Sequence, residues 1–236
     1  MDVSVIVPTL NEGKYLKKCL KSIRAQDTNL DYELIVVDSK STDCTLDIAK
    51  KYADQFLSIS QTGIWIGRNK GAAVAKGDVF VFVDADTQIP KNYIDVVYSV
   101  LKDKKVSGLS CAFKFDKHTK YLRLIEELSN KYLLFKGSIG KGEILGFNNA
   151  VSKSIFMKAG GFPDAPLEDG AFAIELQKHG RVVYLPEPIV ITSARRFTRG
   201  NTLKSIIYYA NLTVAPRFSN SPLKTLIKYK KYIPIR

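Results

Sequence analysis

The sequence predicts a doubly wound α/β fold on a parallel sheet over about its first hundred residues, and three observations carry that expectation. Short apolar runs alternate with helix-period segments from Val3 onward. One run, Val79-Phe80-Val81-Phe82-Val83, is apolar without a break, as in a central parallel strand covered on both faces. Three runs give way to polar or acidic residues, at Pro8-Thr9, at Asp38 and at Asp84-Ala85-Asp86. In open α/β sheets ligands bind at those carboxyl ends.

The elements follow in order. Residues 3–7 form a first strand closed by Pro8, and Asn11 is placed as the N-cap of a helix on which Leu16, Cys19, Leu20 and Ile23 repeat. A second strand covers residues 33–37 and ends at Asp38; Ser41, Thr42 and Asp43 then open a helix that runs to Tyr52. Residues 56–59 read as a short third strand and residues 67–76 as a turn and helix, with Gly77-Asp78 turning into the central strand. Pro90 and Asn92 begin a helix that carries Ile94, Val97 and Leu101.

Beyond that helix the alternation changes character. Residues 108–115 read as a strand, and residues 121–135 as an amphipathic helix with Leu122, Ile125, Leu128, Tyr132 and Phe135 on its apolar side. Gly137, Gly140 and Gly142 predict a mobile loop. A strand over 145–151, short helix over 155–159, helix over 168–179 and strand over 182–185 complete the domain, which is placed at residues 1–200. Residues 201–236 are expected to form a basic, tyrosine-rich helical extension broken at Pro216, Pro222 and Pro234.

Composition narrows the function classes. A chain of 236 residues holds one α/β domain with a short appendage. No apolar stretch approaches about eighteen residues, so no transmembrane helix is expected. The start, Met1-Asp2-Val3-Ser4, lacks a basic region and an apolar signal core. The expected location is the cytoplasm, with peripheral contact at the cytoplasmic face of a membrane. Cys19, Cys44 and Cys111 have no metal-ligand spacing and no pairing pattern, which argues for reduced thiols. With only His118 and His179 present, a general base is expected to be a carboxylate.

The net charge of +13 gathers at the C-terminal end. No acidic residue follows Glu187, whereas Arg195, Arg196, Arg199, Lys204, Arg217, Lys224, Lys228, Lys230, Lys231 and Arg236 do. Such a tail favours anionic partners and is read either as attachment to an anionic membrane surface or as a helix packed on the core with a basic polar face. Nucleic acid is not expected, because no recognition motif accompanies the charge.

The first strand lacks G-x-G-x-x-G, and no P-loop or glycine-rich pyrophosphorylase loop is present. Asp84 and Asp86 instead offer two hard oxygen ligands that suit Mg²⁺ or Mn²⁺ carrying a diphosphate. The plainer alternative for Asp86 is a cap on the following helix.

Taken in order, Pro8-Thr9-Leu10-Asn11-Glu12, Val36-Val37-Asp38, Gly67-Arg68-Asn69-Lys70-Gly71, Asp84-Ala85-Asp86, Leu145-Gly146-Phe147-Asn148-Asn149-Ala150, Gly160-Gly161-Phe162-Pro163 and Glu168-Asp169 resemble an inverting family 2 glycosyltransferase of the GT-A fold. The match covers roughly residues 3–192. The resemblance implies a mostly parallel Rossmann-like sheet flanked by helices. It also implies transfer of a sugar from a nucleotide donor, most simply a UDP-sugar, to a hydroxyl of a saccharide or lipid-linked acceptor.

By the same resemblance Pro8, Thr9, Asn11, Glu12 and Asp38 belong to the donor site, with Thr9, Glu12 and Asp38 on the base and ribose. Arg68 supports the base or diphosphate, and Asp84-Ala85-Asp86 forms the metal and diphosphate site through its two carboxylates. Asp169, with Glu168 beside it, is the general base. Helix capping is the alternative for Thr9, Asn11 and Glu12, and favourable placement on the helix macrodipole the alternative for Glu168 and Asp169. Arg195 and Arg196 are read either as diphosphate or acceptor-phosphate ligands or as a solvated basic run.

Two departures stand out. Thr192 holds the place where many relatives carry a histidine, and the Gln-x-x-Arg-Trp of processive synthases is absent. A polyprenyl-phosphate or dolichyl-phosphate sugar synthase is the alternative within the class, and a non-catalytic nucleotide-sugar or anion-binding protein the alternative outside it.

Overall fold

The computed structural model describes residues 1–165 and 167–198. The basic extension expected over residues 201–236, and Arg199 before it, lie outside the described residues. No helix among the described residues is long and apolar enough to cross a membrane.

The N-terminal half builds strands β1 (Val3–Thr9), β2 (Tyr32–Asp38), β3 (Gln55–Ser58) and β4 (Val79–Val83), with helices α1 (Leu16–Arg24), α2 (Thr45–Tyr52) and α3 (Ile64–Val74) between them. The short strand β5 (Thr87–Gln88) and helix α4 (Tyr93–Leu101) follow. The C-terminal half adds β6 (Val106–Phe115), α5 (Lys120–Ser138), β7 (Asn148–Ser152), α6 (Lys153–Lys158), α7 (Glu168–Leu176), β8 (Arg181–Thr192) and α8 (Arg195–Thr198).

Among the described residues these strands form one eight-stranded sheet in the order β3-β2-β1-β4-β7-β6-β8-β5. Pairing is parallel from β3 to β4 and again between β6 and β8; β7 runs antiparallel to both of its neighbours, and β5 to β8. Strand order reverses beside β1, so the carboxyl ends of β1, β2 and β4 open on one crevice.

Strand β4 shows why the sheet is covered on both sides. With side chains alternating, Val79, Val81 and Val83 join the apolar cluster that contains Leu16, Leu20, Ile94 and Val97 from α1 and α4. Phe80 and Phe82 enter the opposite cluster with Ala72, Phe156, Phe162, Phe172 and Leu176. The aromatic rings there meet edge to face, tilted or stacked: Phe82 on Phe162 at 5.0 Å, Phe162 on Phe172 at 4.3 Å and Phe82 on Phe156 at 5.6 Å. All five β4 residues are buried.

Three expectations need correction. Asn11 does not cap α1, which begins after Tyr15 without a side-chain cap. Its backbone is left-handed (φ 55°), a conformation Asn tolerates. Its side chain instead accepts the Thr42 N–H at 2.8 Å, joining the loops that follow β1 and β2.

The apolar side of α5 is turned from its expected position. Leu122, Glu126, Leu133 and Gly137 are buried, while Leu128 and Phe135 are 59% and 64% exposed. The reason is backbone satisfaction. The Phe115 N–H donates to Glu126 Oε1 at 2.6 Å, and the Asn130 amide bridges the N–H and C=O of Phe113. These polar side chains must face the sheet, and the helix turns with them.

The glycines at 137–142 form a packed connection. A Cβ on Gly137 would lie 2.6 Å from the Tyr184 backbone nitrogen, and the Gly142 N–H donates to the Val182 carbonyl at 2.8 Å.

Candidate functional site

At the carboxyl ends of β4, β6 and β8 lies a cavity of about 490 Å³. One wall is charged, with Arg68, Asp84, Asp86, Glu168, Asp169 and Arg196; the other is apolar, with Ile125, Tyr132, Leu133, Phe147 and Phe197. Residues from four separate elements are thus gathered around a space large enough for a small-molecule ligand.

Arg68 organises the charged wall. It projects from α3 and is 1% exposed, yet it carries two ion pairs: Nη2 donates to Asp84 Oδ1 at 2.9 Å and Nη1 to Glu168 Oε1 at 2.8 Å. Its guanidinium lies over the Phe162 ring at 5.0 Å. Burial disfavours the charge, but the attraction of Asp84, Glu168 and Asp169 outweighs it, and the Arg68 pKa is raised.

Asp169 stands in the first turn of α7. Its Oδ2 accepts the Gly146 N–H at 3.1 Å and its Oδ1 the Gly170 N–H at 2.8 Å. Burial, followed by repulsion from Glu168, pushes its carboxyl up to about 6 against the opposing pull of Arg68. Gly146 leaves room for both charged groups: a Cβ there would lie 2.6 Å from Arg68 Nη2 and 3.2 Å from Asp169 Oδ2, so a larger residue would push the guanidinium aside.

Asp86 meets the second arginine. Arg195 Nε lies 3.0 Å from Asp86 Oδ2, and its two terminal nitrogens clasp Glu12 at 2.8 and 2.6 Å. The guanidinium also stacks over Tyr15 at 4.9 Å. Burial raises the Asp86 carboxyl to about 6; Arg195 opposes that shift, whereas Asp84 and Glu12 add to it. Of the two readings of Arg195, a solvated basic run does not fit a side chain only 12% exposed between two acids.

The other expected donor-site residues lie at the ends of β1 and β2, with Pro8, Thr9 and Asp38 buried and Asn11 and Glu12 half-buried, and none of these five lines the cavity. Asp38 is fully buried, accepting the Thr9 hydroxyl at 3.0 Å and the Ser41 N–H at 2.9 Å. Pro8 pairs with Val37 at the end of β1, and Ala85 is buried between the two metal-site candidates. The backbone N–H groups of Asn11 and Glu12 donate to the hydroxyl oxygens of Ser41 and Thr45, each at 2.8 Å. Thr192 lines the cavity and shares a 2.9 Å hydrogen bond with Thr87.

The chemistry of this donor set can be tested against a divalent cation. Among the described residues no group of three or more His, Cys, Asp or Glu is placed to hold a metal. Asp84 and Asp86 supply two hard oxygen ligands on the cavity wall, which is the usual protein contribution to a Mg²⁺-type ion that completes its shell with water and phosphate oxygens. They fit such an ion when a phosphate ligand accompanies it. In this structure arginines supply the balancing charge at both positions.

Sequence reasoning missed Gly146 as the N–H that holds Asp169, Tyr15 as the platform for Arg195, and the apolar wall of Tyr132, Phe147 and Phe197. Gly146 and Phe147 lay inside a quoted motif, but no signal assigned them to a wall.

Residues 4–160 match the model of the family described as glycosyl transferase family 2. The chain belongs to that family. Within it, the chain is 38% identical over 125 residues to the poly(ribitol-phosphate) β-N-acetylglucosaminyltransferase TarS of Staphylococcus aureus, covering 46% of this chain and 22% of TarS. It is 26% identical over 196 residues to the dolichol-phosphate mannosyltransferase of Pyrococcus furiosus, covering 79% and 56% of the two chains. This family 2 chain thus matches well under two thirds of the length of these curated relatives.

Solved structures share the fold. TarS residues 1–349 in complex with UDP-GlcNAc superimpose with a TM-score of 0.68 at 22% identity, covering 96% of this chain and 69% of the other. The mannosyltransferase PcManGT of Pyrobaculum calidifontis, in complex with GDP-Man and Mn²⁺, gives 0.69 at 23% identity, covering 88% and 63%.

Proposed function

We propose that this family 2 chain is an inverting glycosyltransferase that moves a sugar from a nucleotide donor, most simply a UDP-sugar, to an acceptor hydroxyl. The observation that carries the reading is the convergence of Asp84, Asp86 and Asp169 on one cavity, with Arg68 between Asp84 and the acids of α7. Relatives solved with UDP-GlcNAc or with GDP-Man and Mn²⁺ support it.

Inversion by a single displacement needs a base on the acceptor side and stabilisation of the leaving group. Asp169 is the base. Its raised carboxyl is ionised at neutral pH yet basic enough to take the hydroxyl proton, and the Gly146 N–H aims it. Arg68 fixes Asp84 and Glu168 at their places on the wall. A Mg²⁺ or Mn²⁺ ion held by Asp84 and Asp86 would offset the negative charge that collects on the departing nucleoside diphosphate.

Glu12, Thr9, Asn11, Asp38 and Pro8 form the base and ribose side of the donor site in this reading. Asp38 and Thr9 act there by shaping the pocket edge, since their polar atoms already bond each other. Arg195 and Arg196 would meet the diphosphate, and Asp86, paired with Arg195 here, would hold the cation together with Asp84. Residues 1–200 form the catalytic unit and residues 201–236 an appendage. The acceptor is a saccharide or a lipid-linked molecule, the second favoured by the apolar wall of Ile125, Tyr132 and Phe147.

Calorimetric titration of the whole chain with UDP, GDP and their sugar conjugates, with and without Mn²⁺, tests the proposal. Metal-dependent binding of one nucleotide is expected. Asp169→Asn should then bind that donor normally while transfer falls by about 10²–10⁴-fold. A folded protein that binds none of these nucleotides would overturn the enzyme reading in favour of anion binding.

A further inference from the structure

Helix α5 buries one face on the sheet and turns a second apolar face outward. Tyr121, Leu124, Leu128, Tyr132, Phe135 and Ile139 are each between 40% and 64% exposed. Their spacings of 3, 4, 4, 3 and 4 residues average 3.6, the period of a straight α-helix, so they form one row along its length. Single exposed apolar side chains are ordinary on a protein surface; a contiguous row along a whole helix marks a contact surface.

Tyr121 and Tyr132 carry apolar rings with polar tips, the residue type that settles at the boundary of a bilayer.

The charge around the row is basic. Lys117, Lys120 and Arg123 are exposed at its N-terminal end and Lys141 beyond its C-terminal end, whereas Lys131 along its side is balanced by Glu127. The two acidic residues of α5 do not oppose them. Glu126 is buried as the acceptor for Phe115, and Glu127 is paired with Lys131. Tyr132 belongs to the row and also lines the cavity, together with Ile125 and Ser129, so the face is continuous with the mouth of the site.

We infer that α5 docks on an anionic lipid surface, lying in the headgroup plane with Leu128 and Phe135 inserted. This extends beyond the transfer chemistry. It assigns membrane contact to the folded domain and presents the cavity mouth to molecules held in the bilayer. Apolar burial and attraction between lysine and lipid phosphate both contribute to such binding.

Vesicle flotation of the full chain, without donor or metal, separates this inference from the transferase reading. The probes are phosphatidylcholine vesicles with and without phosphatidylglycerol. The wild-type chain should float with the anionic vesicles. Leu128→Ser with Phe135→Ser should weaken that binding by roughly a hundredfold; both side chains are mostly exposed, so the thermal midpoint should hold. A tail variant, Lys228→Glu with Lys230→Glu and Lys231→Glu, should weaken binding less.

Three outcomes would overturn the inference: no flotation of the wild-type chain, flotation unchanged in the α5 variant, or binding abolished by the tail variant alone. A wild-type dimer in analytical ultracentrifugation that the α5 variant dissolves would also overturn it, assigning the face to a second copy.

Discussion

Arg68→Met isolates the charge on which the wall of the cavity depends. Methionine retains much of the side-chain volume but removes the 2.8 Å bond to Glu168 and the 2.9 Å bond to Asp84. Those acids are only 15% and 17% exposed, so neither regains its hydration when the arginine is lost. Breaking a buried pair from one side costs about 3–5 kcal/mol at neutral pH. For a chain of this size that lowers the thermal midpoint by about 10 °C.

The loss should depend on pH, with a definite sign. Asp169 is already raised to about 6 by burial and by Glu168, with Arg68 pulling the other way. Removing Arg68 raises it further. A carboxyl raised in the folded state weighs against folding above its folded pKa, and that cost fades as pH falls through this value toward the unfolded one. Each pH unit in that window returns up to about 1.4 kcal/mol per proton taken up. Wild type takes up most of that proton itself as pH falls through about 6, so the gap between wild type and variant should narrow by about 1 kcal/mol from pH 7 to pH 5. Urea unfolding followed by far-ultraviolet circular dichroism at both pH values measures it. A loss under about 1 kcal/mol at neutral pH, or one of equal size at both, would refute the dependence of these carboxylates on Arg68.

Two further outcomes follow from the same geometry. As the base, Asp169 should give kcat/KM an acid limb with its midpoint about 6, activity falling as pH drops through that value; in Arg68→Met the limb should move to higher pH, and a limb that stays put would count against Asp169. Asn148 is fully buried and bridges the Cys111 N–H and C=O at 2.7 and 3.0 Å. Asn148→Ala should cost about 3–5 kcal/mol by orphaning both backbone groups, read as a lower urea midpoint; a loss under about 1 kcal/mol would mean that another group takes over.

Local pattern was enough to read the N-terminal half of the fold. Residues 79–83 could only be a doubly covered strand, because five consecutive apolar side chains on a period of two leave no face for water. The strand-end motifs were legible for a related reason. A carboxylate directly after an apolar strand emerges at the crevice whatever the helices do, so Asp84 and Asp86 could be placed from order alone, whereas Asp38 is buried in bonds to Thr9 and Ser41. Glu168-Asp169 at a helix start was legible in the same way.

Tertiary structure decided the rest, because it turns on partners far away in the chain. The face that α5 buries was fixed by unsatisfied backbone groups of Phe113 and Phe115, which recruit Asn130 and Glu126. Apolar periodicity carries no record of that demand. Arg68 needed Asp84 and Glu168, 16 and 100 residues distant, before it became the centre of the site. Arg195 needed Glu12, 183 residues away, before a basic residue became the centre of a largely buried ion cluster with Asp86. Sequence set which groups stand at the strand ends; folding set which opposite charges face each other there, since burial makes an unpaired charge costly and selects the arrangement that pairs them.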